Sequence, residues 1–400
     1  MVGIHTLQNG VMSVAEVLAE RIRRKGPITF AELQEAALYD PDAGFFSTGR
    51  GAGRSGRDFI TSPEVGPLFG ALAARQLDVT WDGLGRPDPF VVVDAGAGNG
   101  RLGADVLRAT PRCAKALRYV LAERSPALRS AQRDLVTLEP ADEALGPVAP
   151  GADRDEPDEH VAGVGPIATS LDDLPGVTFT GLVLANELLD NLPVRIAERA
   201  ADGWDEILVA LDDDDHLVET AFPAQPSFAA SADEVAADVA APVGTRLPIP
   251  VAASEWLIRV AAVLRRGELI VVDYAVPVAE LIARGPEGWL RTYRGHARGG
   301  SPLDALGDRD ITCDLPLEHL LVAARRAGFR VVRDMTQAEW LTGLGIAEIV
   351  EEGRATWRAR AHAGDLEAIA GRSVVTEAEA LVDPAGLGAH RVIVLDRGVR

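Results

Sequence analysis

The chain is poor in cysteine, lysine, aromatic residues and long apolar runs. Its only cysteines are Cys113 and Cys313, far apart in the 400 residues. A disulfide framework and a cysteine-based zinc site are thereby excluded, no metal is called for, and the expected compartment is a reducing cytoplasm. Lysine occurs only at Lys25 and Lys115, so nearly all positive charge is arginine, a skew that suits a bacterial chain from a GC-rich genome. Aromatics make up 5%, which leaves alanine, valine and leucine to fill the core. No apolar run approaches the length of about 18 residues that spans a bilayer. Met1 to Gly10 also lacks the apolar centre of a signal peptide, so neither secretion nor membrane insertion is expected. Basic charge is scarce as well. The net charge is −20, a field that repels nucleic acid and anionic membrane and favours cationic partners.

What is present is a pattern around residue 95. Phe90 to Val93 reads as a strand buried on both faces, and Asp94 closes it. Glycines follow at alternate positions, Gly96, Gly98 and Gly100, and then Leu102, Val106 and Leu107 recur at helical spacing. Strand, glycine turn and helix make the first βα unit of a doubly wound, mostly parallel α/β domain. Glycine allows the sharp turn and lets a ligand approach main-chain N–H groups. Gly98-x-Gly100-x-x-Gly103 formally matches a dinucleotide fingerprint, but its glycines open too far from the strand. Asp94-x-Gly96-x-Gly98-x-Gly100 fits the loop that holds S-adenosylmethionine (SAM) better. A second strand, Leu117 to Ala122, ends in Glu123, placed to accept the two ribose hydroxyls. The plain structural alternative is a tight turn beside a surface glutamate.

Four hundred residues exceed one average domain, so a Rossmann-type core of about 250 residues with additional parts is expected. Residues 1–89 read as an N-terminal helical cap over the cleft. It contains a capping box at Thr29-x-x-Glu32, a glycine-rich loop from Gly49 to Arg57, and a helix opened by Ser62-Pro63. Residues 90–400 read as the core domain. Within it, Glu139 to Gly165 reads as a solvated loop, and Gly181 to Ala185 as the fourth strand. Ile207 to Leu211 and Leu217 to Thr220 read as a hairpin around Asp212–Asp215. Pro223 to Pro250 reads as partly loop. Glu268 to Asp273 is the fifth strand, with an insertion at about 274–312 after it.

The polar cluster Asn186-Glu187-Leu188-Leu189-Asp190-Asn191 follows the fourth strand. Ligands of open α/β sheets bind at the carboxyl ends of strands, which places this cluster in the same cleft as Gly98. The alternative is a helix N-terminus, with Asn186 as cap and Glu187 complementing the dipole.

Several motifs occur in one order: Asp58-Phe-Ile-Thr61-Ser-Pro-Glu64, the glycine loop, Glu123-Arg-Ser-Pro126 and Asn186 to Pro193. Trp204-Asp-Glu206, Val272-Asp-Tyr274, Thr292-Tyr-Arg-Gly-His296, Asp310-Ile-Thr312 and Thr336-Gln337 follow. In these the chain resembles the MidA-like SAM-dependent methyltransferases, from about Gly26 to Ile346. The resemblance implies a class I, Rossmann-like methyltransferase. SAM would be held by Asp94, Gly96, Gly98, Gly100, Glu123 and Asn186, with Thr61, Glu64 and His296 on the substrate and lid side. Mitochondrial members of the family methylate an arginine on a respiratory complex I subunit. An arginine acceptor would suit Glu187 and Asp190 as catalytic carboxylates, since two carboxylates can hold a planar guanidinium. The chain departs from the family in having Asp94 where Glu is usual, Phe45-Phe46 where tyrosines are usual, and Thr169-Ser170-Leu171 where a Trp is expected. These departures leave a small-molecule methyltransferase as a rival. A rival of another class is a non-catalytic SAM-binding assembly factor, against which the intact glycine loop with Glu123 argues. The sequence permits a homodimer and does not fix the oligomeric state.

Overall fold

The computed structural model describes residues 12–49, 61–146, 162–236, 239–294, 297–363 and 365–399. The chain begins with α1 (Val14–Lys25), β1 (Ile28–Thr29), α2 (Phe30–Tyr39), α3 (Ser62–Val65) and α4 (Pro67–Gly83). Capping boxes open α1 and α2, Ser13 with Glu16 and Thr29 with Glu32, so both first turns satisfy free N–H groups locally. The core follows with β2 (Phe90–Ala95), α5 (Arg101–Arg108), β3 (Leu117–Ala122), α6 (Pro126–Gln132), α7 (Ala141–Leu145), β4 (Ile167–Leu171) and β5 (Phe179–Asn186). An antiparallel segment intervenes: β6 (Arg195–Ala200), β7 (Gly203–Leu211), β8 (Leu217–Pro223), α8 (Pro226–Ala236) and β9 (Arg246–Ile249). The core resumes with α9 (Val251–Val263) and β10 (Leu264–Asp273).

Next come β11 (Ala275–Val276), α10 (Val278–Arg284), α11 (Pro286–Trp289), β12 (Leu290–Arg294), β13 (Ala297–Arg298), β14 (Asp310–Cys313) and β15 (Leu315–Pro316). The last elements are α12 (Leu317–Arg326), β16 (Arg330–Thr336), α13 (Gln337–Gly343), α14 (Ile346–Arg360), α15 (Leu366–Leu381) and β17 (Arg391–Arg397).

Seven strands form the main sheet in the order β16-β17-β10-β5-β2-β3-β4. The five from β10 to β4 are parallel, and β17 runs antiparallel to both neighbours. Every residue of the central strand β2 is buried, and its side chains alternate between two cores. Phe90 and Val92 pack with α4 and α5, while Val91, Val93 and Ala95 pack with α9 and α12. Helices therefore cover both faces, the class I methyltransferase arrangement. Each of the valine and phenylalanine side chains contributes about 1.5–3 kcal/mol on burial. The strand order reverses at β2, with β3 and β4 to one side and β5 and β10 to the other. The crevice beyond the carboxyl ends of these strands is where such sheets bind ligands.

The first 89 residues do not form one separate cap. Helix α4 belongs to the core of the main sheet, where Leu68, Leu72 and Leu77 pack with Val92 and Leu182. Helices α1 and α2 instead pack on β6 and β7, together with Trp289 and Ile311, and β1 pairs with β7. Capping boxes and apolar stripes are local signals. They specify a helix without naming the sheet that receives its stripe. Helix α8 and β9 lie where the sequence reads as partly loop, and β9 completes a five-stranded antiparallel sheet with β1, β6, β7 and β8. The β7–β8 hairpin turns at Asp212–Asp215 as expected. The 274–312 region carries the small sheet β13-β12-β14. Most of the 139–165 loop and the glycine-rich loop after Gly49 lie outside the described residues. No helix among the described residues is long and apolar enough to cross a membrane.

Candidate active site

At the carboxyl ends of β2, β3, β4 and β5 lies a cavity of about 260 Å³, walled by the glycine loop, Glu123, Asn186, Glu187 and the segment Thr61–Glu64. Gly96, Gly98 and Gly100 all have positive φ, +73°, +53° and +83°, which a side chain would strain. A Cβ on Gly96 would meet Leu188, and one on Gly100 would meet Gln132, whereas one on Gly98 would meet nothing within 4 Å. Gly98 is thus the position whose missing side chain leaves the cavity open. Its peptide is held from both sides: its N–H donates to Glu123 Oε2 at 2.9 Å, and Gln132 Nε2 donates to its carbonyl at 3.0 Å. Glu123 also accepts from the Ser125 N–H at 2.7 Å, and burial pushes its carboxyl upward against these donors. Asp94, at the end of β2, accepts from the Tyr119 hydroxyl at 3.1 Å; burial raises its pKa to about 7.

Across the cavity, β5 ends in Asn186 and Glu187. Asn186 Oδ1 has no hydrogen-bond partner among the described residues, although it is shielded from solvent. A buried carbonyl oxygen left in this way costs about 1–3 kcal/mol unless a ligand donates to it. Glu187 has φ +49°, an uncommon conformation for a residue with a side chain, and such strain concentrates where geometry serves function. Its Oε1 accepts from the Ser62 N–H at 3.3 Å and from Asn186 Nδ2 at 3.4 Å. Burial pushes its carboxyl up to about 8, and Asp273 and Asp310 add repulsion.

Asp190 does not reach this cavity. It is 2% exposed and absent from the wall, and its Oδ1 has no partner among the described residues. Burial holds its pKa well above the carboxylate range, with Asp273, Asp310 and Glu187 adding repulsion and Arg291 partly offsetting it. The cause lies in the backbone. No α-helix follows β5, only a single 3-10 turn over Leu189–Asn191, within which Asp190 is buried. The helix-cap alternative for Asn186 and Glu187 falls for the same reason. The turn is held instead by Asp273 of β10, which accepts the N–H groups of Leu188 at 3.2 Å and Leu189 at 2.8 Å.

Thr61 and Glu64 line the cavity, and Glu64 Oε1 accepts from Asn99 Nδ2 at 3.3 Å. His296 lies outside the described residues. Wall residues that the sequence did not single out are Asp172 and Asp173 after β4, and Trp256 and Arg259 on α9, where Arg259 pairs with Asp173. An acid pair closing a strand was the available signal. It passed unseen because Ile167-Ala-Thr-Ser-Leu171 is too weakly apolar to stand out as a strand.

The donor set fits SAM. Gly98 leaves room beside main-chain groups, Glu123 offers carboxylate lone pairs suited to vicinal hydroxyls, and Asn186 offers an unused acceptor.

A family profile for S-adenosyl-L-methionine-dependent methyltransferases matches residues 72–334. The mitochondrial protein arginine methyltransferase NDUFAF7 homolog of Drosophila melanogaster is 32% identical over 223 residues, 54% of this chain and 48% of that protein. The chain thus spans about half the length of that relative. The mitochondrial protein arginine methyltransferase NDUFAF7 of Danio rerio is 27% identical over 360 residues, 84% of this chain and 77% of that protein. A crystal structure from Burkholderia thailandensis, bound to S-adenosyl-homocysteine, matches with a TM-score of 0.77 at 27% identity. That match covers 97% of this chain and 92% of the other.

Proposed function

The chain belongs to this family of SAM-dependent methyltransferases, and from that membership we propose that it methylates a protein arginine held in the cavity beside Glu187. One observation carries the reading: Gly98, Glu123 and Glu187 meet in a single cavity, a cofactor cradle facing a strained, poorly solvated acid. When bound, SAM supplies a methyl group already activated for attack by a nucleophile. What remains for the protein is to align the acceptor and keep water out. Glu123, the glycine loop and Asn186 hold the cofactor.

Glu187 works on the acceptor. With its carboxyl pushed up to about 8, it holds a proton near neutral pH while no cation is beside it. An arriving guanidinium favours the carboxylate, so acceptor binding displaces that proton. The carboxylate then accepts hydrogen bonds from the guanidinium N–H groups and takes up the proton lost by the nitrogen as it is alkylated. The net charge of −20 favours a basic acceptor.

Purified chain incubated with methyl-labelled SAM and cell extract tests this. Label in protein bands that yields methylarginine on hydrolysis supports the proposal. Label confined to small molecules would replace it with a metabolite methyltransferase. Cofactor binding with no transfer would favour a non-catalytic assembly factor.

A further inference from the structure

The segment Thr61–Gly66 walls the cavity, yet it has little of its own to stand on. Helix α3 is four residues long, and the side chain of its N-cap residue, Thr61, makes no capping hydrogen bond. Helix α4 begins at Gly66-Pro67, where glycine has no side chain to cap with. A single helical turn is marginal in isolation, and the first N–H groups of a helix need partners.

The partners come from the far end of the chain. Glu377 of α15, 4% exposed, accepts the Leu68 N–H on Oε2 at 3.0 Å and the Ser373 hydroxyl on Oε1 at 2.7 Å. A Cβ on Gly66 would lie 2.1 Å from the Glu377 carboxyl carbon, so glycine is what admits the carboxylate this close. Gln337, the first residue of α13 and fully buried, accepts the Ser62 hydroxyl on Oε1 at 2.9 Å. Its Nε2 donates to the Leu381 carbonyl at 3.0 Å, which fixes the amide's orientation from α15. On its other side the segment meets the chemistry. The Ser62 N–H donates to Glu187, and Glu64 accepts from Asn99 of the glycine loop. Neither Glu377 nor Gln337 lines the cavity.

We propose that Glu377 and Gln337 are positioning residues, through which the C-terminal helices clamp the Thr61–Gly66 wall and so set cofactor affinity and the presentation of Glu187. The inference rests on the methyltransferase reading only for the identity of the cofactor. Glu377, Gln337 and the clamped wall all lie outside the 72–334 span of the family profile.

The test measures S-adenosyl-homocysteine affinity by calorimetry and backbone hydrogen exchange of residues 61–68 in the full chain. Glu377→Ala is expected to weaken binding about tenfold and to speed exchange of that segment at least about tenfold, because its opening becomes local. Glu377→Gln keeps an acceptor oxygen for the Leu68 N–H and should recover most of both. Ser62→Ala removes the Gln337 contact from the wall side and leaves the C-terminal helices whole, so it serves even where Glu377→Ala does not fold. It should weaken binding and speed exchange in the same direction. A purely structural role would lower the melting temperature while affinity stays within about twofold of the parent, and that result overturns the proposal. Unchanged affinity and exchange in Ser62→Ala would overturn it equally. Failure of the parent chain to bind the ligand would count against the cofactor reading, and the exchange data would still judge the clamp.

Discussion

The Gly98 N–H donates to Glu123 Oε2 at 2.9 Å, tying the middle of the glycine loop to the acid at the end of the neighbouring strand. Two features that lie 25 residues apart in sequence thus form one rigid half of the cavity before any ligand arrives. Pre-organisation of this kind lowers the ordering cost of binding.

Glu123→Gln should therefore weaken SAM without unfolding the loop. An amide oxygen can still accept from one of the two N–H donors, but the charge facing the ribose is lost. A charge-assisted hydrogen bond contributes about 1.5–3 kcal/mol, so the dissociation constant should rise about 10- to 150-fold by calorimetry. A change under about twofold would show that the acid does not face the ribose.

Gly98→Val should abolish SAM binding through occupied space. The left-handed φ of +53° adds backbone strain of about 1–3 kcal/mol, so a lowered melting temperature is expected alongside a folded circular-dichroism spectrum. Near-normal affinity in the folded variant would refute the placement of the cofactor.

Glu187→Gln should bind SAM like the parent and lose about 10²-fold or more in turnover, since an amide can neither take a proton nor pair with a guanidinium. The loss should be in turnover and acceptor binding together. A normal rate would withdraw the arginine mechanism and leave the methyltransferase standing.

Stability should fall as pH rises through the window set by the cavity acids. Burial pushes Glu187 up to about 8 in the folded state against 4.5 for an ordinary glutamate, and Asp94 up to about 7 against 3.8. The folded chain then binds more protons than the unfolded chain between pH of about 4 and 8, so its stability declines across that range. Glu187→Gln removes one of these groups. It should raise the melting temperature relative to the parent at pH 8.5 and change it little at pH 5. A gain of equal size at both values would show that Glu187 is not held protonated.

The parallel core, the glycine loop, the acid after β3 and the polar cluster after β5 were legible in the sequence, because each is written in a few contiguous residues. A buried strand needs an unbroken apolar run, a left-handed turn needs glycine, and a ligand-facing acid follows at the strand's end. Tertiary structure decided the rest. It withdrew Asp190 from the cavity, since the chain after Glu187 makes a 3-10 turn over Asp273 where an α-helix was the alternative. It split the N-terminal segment between two cores, since an apolar stripe does not name its partner. It also brought Glu377 to the first turn of α4, across 309 residues of sequence, to fill a capping position that Gly66 leaves empty. Such contacts follow from where packed layers bring chain ends together, and no local pattern of residues encodes that.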